Sequence, residues 1–264
     1  MTTFTKKEVL LQAKEINLSY DGKQILRDIN FEIKNITRPG IKQGQVISLV
    51  GRSGIGKTQL FKVLSGLQKP TSGEILLQGN RKVKPGDMGV IFQNYYLFEW
   101  RTIRTSLMLA AKKNPLIAGK EKAAIEEYAA NFNLTDHLHK YPQQLSGGQR
   151  QRVSIIQQML NGSDFLLLDE PFSGLDVLVL DKVVELLLQV SVSDDLKTLI
   201  IVSHDIATSV AISDTVFILG EEKGKTGATI VKEIDLIERG LAWEKDCRNE
   251  KAFVDTIGEI KACL

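Results

Sequence analysis

The chain has 264 residues, 43% of them hydrophobic and 25% charged, enough apolar side chains for a sizeable core with the charge content of an ordinary globular protein. Its formal net charge of +2 lacks the strongly basic balance of a general nucleic-acid binder, so no nucleic-acid partner is expected. No run approaches the roughly 18 uncharged apolar residues of a membrane span, and the N-terminal stretch carries no apolar leader run. With its two cysteines, Cys247 and Cys263, reading as free thiols of a reducing compartment, a soluble cytoplasmic chain is expected.

In chain order, Ile29-Asn30-Phe31-Glu32-Ile33 alternates apolar and polar residues, which predicts a half-buried strand. Residues 34–43 (KNITRPGIKQ) read as a loop broken most sharply at Pro39-Gly40. The apolar run 46–50 predicts a strand buried on both faces, as do the runs 90–92, 165–168, 199–202 and 216–219; such runs suit a parallel sheet flanked by helices. Leu60, Leu64 and Leu67 fall on one helical face, and Glu74-Ile75-Leu76-Leu77-Gln78 is a second short strand candidate, entered through the turn residues Pro70, Ser72 and Gly73. Residues 101–160 hold no good strand and several helical stretches, the pattern of a helical subdomain inserted into an α/β core. Leu180, Val183, Val184, Leu187 and Leu188 make a later apolar helical stripe, and residues 243–264 read as either a packed terminal helix or a partner contact.

Gly51-Arg52-Ser53-Gly54-Ile55-Gly56-Lys57-Thr58 fits the G-x-x-x-x-G-K-[ST] phosphate loop. Its glycines let the backbone aim several N–H groups at phosphate oxygens, and the following helix offers its positive end to the same anion. Lys57 is then placed for the β- and γ-phosphates and the Thr58 hydroxyl for Mg²⁺. The strand at 165–168 ends in Asp169 and Glu170, two carboxylates suited to holding the Mg²⁺ shell and to polarising an attacking water.

Leu145-Ser146-Gly147-Gly148-Gln149-Arg150-Gln151-Arg152 is the most specific segment. It resembles the signature motif of ABC ATPases, a second phosphate site in which Ser146 supplies a hydroxyl, Gly147 and Gly148 allow close backbone approach, and Gln149 lies in the helix's first turn. Around it, Tyr20 resembles the adenine-stacking aromatic, Gln93 the Mg²⁺- and water-sensing glutamine, Ser173-Gly174-Leu175-Asp176 the loop crossing a dimer interface, and His204 the γ-phosphate switch. His137 and His139 lack such context and read as solvated. Gln59 stands where a small hydroxyl residue usually follows the phosphate loop. The resemblance runs from about residue 11 to 239 and implies a fold of the P-loop NTPase type. That fold is a mainly parallel sheet with an N-terminal antiparallel β-subdomain and an inserted helical signature subdomain. Its expected boundaries are 1–92 and 161–240 for the core, 93–160 for the helical subdomain and 241–264 for a tail.

It further implies ATP and Mg²⁺ as ligands, with Thr58, Gln93 and Asp169 at the metal and Glu170, His204 and Gln93 catalytic. A head-to-tail dimer with Asp176 at its interface is implied, as are membrane permease subunits and a location at the cytoplasmic face of the inner membrane. The segment from Asn94 to Arg104 resembles the nitrate, sulfonate, taurine and bicarbonate importer branch, which typically has Leu-Leu-Pro-Trp where this chain has Glu99 before Trp100. An importer of a small anionic solute, served by a substrate-binding protein, is expected; the alternatives are an export or lipid-moving system, or a soluble ABC ATPase. One cassette per chain argues against a ribosome-associated twin cassette. The short interval from Thr58 to Leu145, without sustained heptads, argues against a chromosome-organising ATPase.

Overall fold

The structure, a computed structural model, describes residues 4–37, 44–173, 184–185, 198–242, 244 and 247–264. Ten strands form one mixed sheet: β1 (Thr5–Tyr20), β2 (Lys23–Thr37), β3 (Gln45–Val50), β4 (Ser72–Leu77), β5 (Arg81–Lys82), β6 (Gly89–Ile91), β7 (Phe165–Asp169), β8 (Thr198–Ser203), β9 (Thr215–Glu221) and β10 (Ala228–Asp235). Their spatial order is β5-β4-β1-β2-β10-β9-β3-β8-β7-β6. The block β9-β3-β8-β7-β6 is parallel throughout, whereas β5-β4-β1-β2 is antiparallel. Every residue of β3, β7 and β8 is buried, as their uninterrupted apolar runs require when helices cover both faces.

Two corrections follow from the hairpin and its neighbours. The expected loop at 34–43 begins later, because Lys34, Ile36 and Thr37 continue β2 and pair with Val9, Lys6 and Thr5 of β1. The partner strand is long enough to keep the ladder going, and Asn35, itself buried, donates from Nδ2 to Glu8 Oε1 at 3.0 Å; residues 38–43, with Pro39-Gly40, lie outside the described residues. Strand β1 belongs to the expected N-terminal β-subdomain, but its limits and those of β10 are set by pairing, since neither is a clean apolar run: β1 is bulged at several points and mixes charges into its exposed positions. Helix α1 (Lys57–Leu64) stops before Leu67, which is 47% exposed. Ser65 closes it by donating to the Phe61 carbonyl at 2.9 Å, and Gly66 turns left-handed at φ 73, the usual helix stop.

The stretch between β6 and β7 carries α2 (Ile103–Ala111), α3 (Glu121–Asn131) and α4 (Gly147–Leu160). They share a core of Ile103, Leu107, Ile125, Ala129, Val153 and Ile156 with one face of the sheet, including Leu166, Leu168, Leu199 and Ile201. A second core lies between the antiparallel strands, α1 and the opposite face of the parallel block. The apolar stripe from Leu180 to Leu188 lies outside the described residues save Val184, which packs against the first core. Helix α5 (Ile206–Ile212) follows β8, and α6 (Lys251–Cys263) packs Phe253 and Ile260 against β9, β10 and α5 in a third core. The C-terminal segment is thus a packed helix; Trp243 lies outside the described residues. No helix among the described residues is long and apolar enough to cross a membrane.

Candidate active site

Four parallel strands end side by side and aim their C-terminal loops the same way, the position where open α/β sheets bind ligands. The phosphate loop leaves β3, Gln93 follows β6, Asp169 and Glu170 close β7, and His204 follows β8. They meet in a cleft of about 570 Å³ lined by Tyr20, Ile25, Ser53, Gly54, Gly56, Lys57, Thr58, Gln59, Gln93, Glu170, Ser173 and His204.

The loop's conformation needs its glycines. A Cβ on Gly51 would meet the Leu219 carbonyl oxygen at 2.8 Å, and Gly56 sits at φ 112 as the N-cap of α1, with no side chain capping that helix end. An uncapped helix start beside the cleft is the natural seat of an anion. Lys57 is buried and curls back over the loop, donating to the carbonyls of Gly51 (2.9 Å) and Arg52 (3.1 Å) and lying 3.4 Å from Glu170 Oε1. Thr58 Oγ1 donates to Asp169 Oδ1 at 3.4 Å. Burial holds the Asp169 carboxyl above its ordinary range, against the Thr58 hydrogen bond, and the neighbouring Glu170 charge adds to the rise. Two hard oxygen donors beside a phosphate loop are the chemistry a Mg²⁺ ion takes, so this pair fits it.

Glu170 is held from three sides. Its Oε2 accepts from His204 Nδ1 (2.8 Å), the His204 N–H (3.2 Å) and Ser203 Oγ (3.3 Å). Its own N–H continues the β7–β8 ladder to the Val202 carbonyl at 2.8 Å, with the residue at φ 50; a side-chain-bearing residue pays for that left-handed turn, and such strain gathers at functional sites. Gln93 donates from Nε2 to Ser173 Oγ at 3.2 Å, and the Tyr20 hydroxyl donates to Gln59 Oε1 at 3.0 Å. Gln59 thus braces the aromatic ring from the phosphate-loop helix. Arg52 and Ile55 do not line this cleft; they face a neighbouring one bounded by the β9–β10 turn. Ile25 was missing from the expected set. The two-residue Asp21-Gly22 turn pairs Tyr20 with Lys23 and brings Ile25 to the cleft wall, a signal legible only as a hairpin.

Ser146, Gly147, Gly148 and Gln149 are not in the cleft. They form the N-terminal turn of α4, where Ser146 and Gln149 make a reciprocal capping box: Gln149 N–H to Ser146 Oγ (3.3 Å) and Ser146 N–H to Gln149 Oε1 (2.9 Å). Among the described residues, a Cβ on Gly147 or Gly148 would meet nothing within 4 Å. The expectation that His137 is solvated is corrected here. With Gln149 Oε1 taken by the cap, its Nε2 lies within hydrogen-bond distance of His137 Nε2 at 2.9 Å, and the ring is half-buried. His139 is exposed. Of the expected interface loop, Ser173 is in the cleft, while Gly174, Leu175 and Asp176 lie outside the described residues.

Strand-end loops, a glycine phosphate loop and a paired Thr and Asp define a nucleotide-binding α/β protein of the P-loop class. The family description "ABC transporter" matches residues 34–173, and the chain belongs to that family. The bicarbonate transport ATP-binding protein CmpC of Synechococcus elongatus is 38% identical over 74% of this chain, which spans only 30% of that protein's length. The aliphatic sulfonates import ATP-binding protein SsuB of Zymomonas mobilis is 31% identical over 84% of this chain and 85% of its own. Among solved structures, cbiO1 of Clostridium perfringens, part of the ABC transporter complex cbiONQ, aligns at a TM-score of 0.71 and 25% identity, over 88% of this chain and 90% of its own.

Proposed function

We propose that this chain binds and hydrolyses Mg-ATP between two head-to-tail copies of itself and so powers a bacterial membrane importer of a small anionic solute. The observation that carries the reading is the single cleft joining Lys57, Thr58, Gln93, Glu170 and His204, with Asp169 hydrogen-bonded to Thr58 at its floor. The triphosphate lies along residues 51–58, its terminal phosphates taking the Lys57 ammonium from the loop carbonyls, and Tyr20 stacks on the base. Thr58, Asp169 and Gln93 would hold the Mg²⁺ ion, which when bound would neutralise phosphate charge. Glu170 orients a water and takes its proton as the water oxygen bonds to the γ-phosphorus and the bond to the β–γ bridging oxygen breaks. His204 steadies that carboxylate and faces the γ-phosphate.

The second copy is asked for by Ser146–Gly148. Nothing among the described residues forbids a side chain at either glycine, yet glycine stands at both. A close approach from outside explains them: the triphosphate held by another copy's phosphate loop, completed by Ser146 and Gln149. Asp176 belongs to that same interface. The exposure of Tyr96 and Trp100, 73% and 74%, supports an aromatic docking face for a membrane permease at the cytoplasmic side of the membrane; Tyr95 is half-buried against the helical core instead. The names of the relatives, for bicarbonate and sulfonate, favour a small anion; on this reading a substrate-binding protein delivers it.

Glu170→Gln is the direct test. The variant should bind ATP, lose nearly all hydrolysis, and migrate as a dimer in size-exclusion runs with ATP. Wild-type turnover in that variant would remove Glu170 from the chemistry.

A further inference from the structure

The segment between Gln93 and α2 ends in a turn, Phe98 to Arg101, closed by the Arg101 N–H on the Phe98 carbonyl at 3.0 Å. Trp100 projects from it into solvent with Phe98 beside it, ring centroids 5.6 Å apart. Glu99, between them, points the other way. Its carboxylate pairs through Oε1 with the Arg150 guanidinium, while Oε2 is buried with no hydrogen-bond partner among the described residues. Its backbone carbonyl accepts from Gln143 Nε2 at 3.0 Å.

Gln143 lies three residues before Ser146 and Arg150 four residues after it, with the Arg150 N–H bonded to the Ser146 carbonyl at 2.9 Å. Residue 99 therefore grips the signature turn on both sides of its serine. A guanidinium–carboxylate pair fixes direction as well as distance. The two side chains are 29% and 40% exposed, so the hold comes from this directional pair acting together with the Gln143 bond.

We propose that Glu99 is a positioning residue: through Arg150 and Gln143 it locks the exposed aromatic turn to the Ser146 turn, so that displacing either displaces the other. The inference rests on the ATP-sandwich reading for the part Ser146 plays. A proline at this position has no charge to give Arg150, which makes the link a property of this sequence and not of the importer pattern it resembles.

The test uses the full chain. Trp243→Phe leaves Trp100 as the sole tryptophan, and Glu170→Gln holds ATP unhydrolysed. In that background ATP should shift the Trp100 emission as Ser146 closes on nucleotide. Adding Glu99→Gln should abolish the shift while ATP binding, read by equilibrium dialysis, is retained. The charge exchange Glu99→Arg with Arg150→Glu should restore it, which a loss of packing alone would not allow, and this decides the matter should Glu99→Gln fold poorly. An undiminished shift in Glu99→Gln, or a silent Trp100 in the ATP-bound parent, overturns the link. Failure of the parent to bind ATP overturns the sandwich reading itself.

Discussion

Asp169 ends a strand buried along its whole length, and burial together with the adjacent Glu170 raises its pKa above the ordinary 3.8. A raised acid pKa means the fold holds the proton more tightly than the unfolded chain does. Ionisation of Asp169 therefore lowers the stability of the ligand-free protein as pH rises past that ordinary value. Asp169→Asn keeps an oxygen for the Thr58 hydroxyl but removes the buried charge. Its ligand-free thermal midpoint at neutral pH should rise above that of wild type, while Mg²⁺-dependent ATP hydrolysis is lost. A midpoint that falls, read by scanning calorimetry, would refute the charge argument.

Helix α6 shows how an element at the end of the chain is held to the core. Glu259 accepts from Arg239 at 2.7 Å and pairs with Lys232 at 2.6 Å, tying the helix to β10 and to the turn after it. Those two cations lower the Glu259 pKa from 4.5 to about 2. The pairing is fully present above pH 4.5 and is lost as pH falls from there toward 2. Glu259→Gln should thus melt lower than wild type near neutral pH, with the difference shrinking across that acid window in thermal melts at stepped pH. A constant difference would mean that Glu259 acts by packing. The capping box of α4 works likewise at element scale: Gln149 is shared between Ser146 and His137, so the signature turn is preset before any partner arrives.

At the scale of the whole molecule, the separation of Ser146 from the cleft makes a prediction that one chain alone cannot satisfy. Lys57→Ala and Ser146→Arg proteins should each be inactive. Mixed, they form heterodimers with one doubly damaged site and one intact site, and random pairing should return about a quarter of wild-type ATPase activity. Cysteines placed at Ser53 and Gly147, with Cys247 and Cys263 replaced by serine, should form an intersubunit disulfide faster when ATP is added. A bridge that forms only within one chain, or ignores ATP, would rule out the head-to-tail arrangement.

What the sequence determined by itself were features with a local cause. The apolar runs of β3, β7, β8 and β9, the glycine spacing of residues 51–56, the carboxylate pair after a strand and the Ser-Gly-Gly helix start each depend on neighbours along the chain. The chemistry of the cleft was legible because each of its key residues sits at the end of such a strand. Tertiary structure decided what depends on partners far away. Strand β1 exists because β2 and β4 flank it, and the supposed loop after Ile33 stays extended because β1 is there to pair with it. His137 joins the signature turn and Ile25 the cleft through folding that no periodicity reports. The Glu99–Arg150 pair spans 51 positions, and a charge contact of that reach is set by how α4 packs beside the turn, which no local pattern of residues encodes.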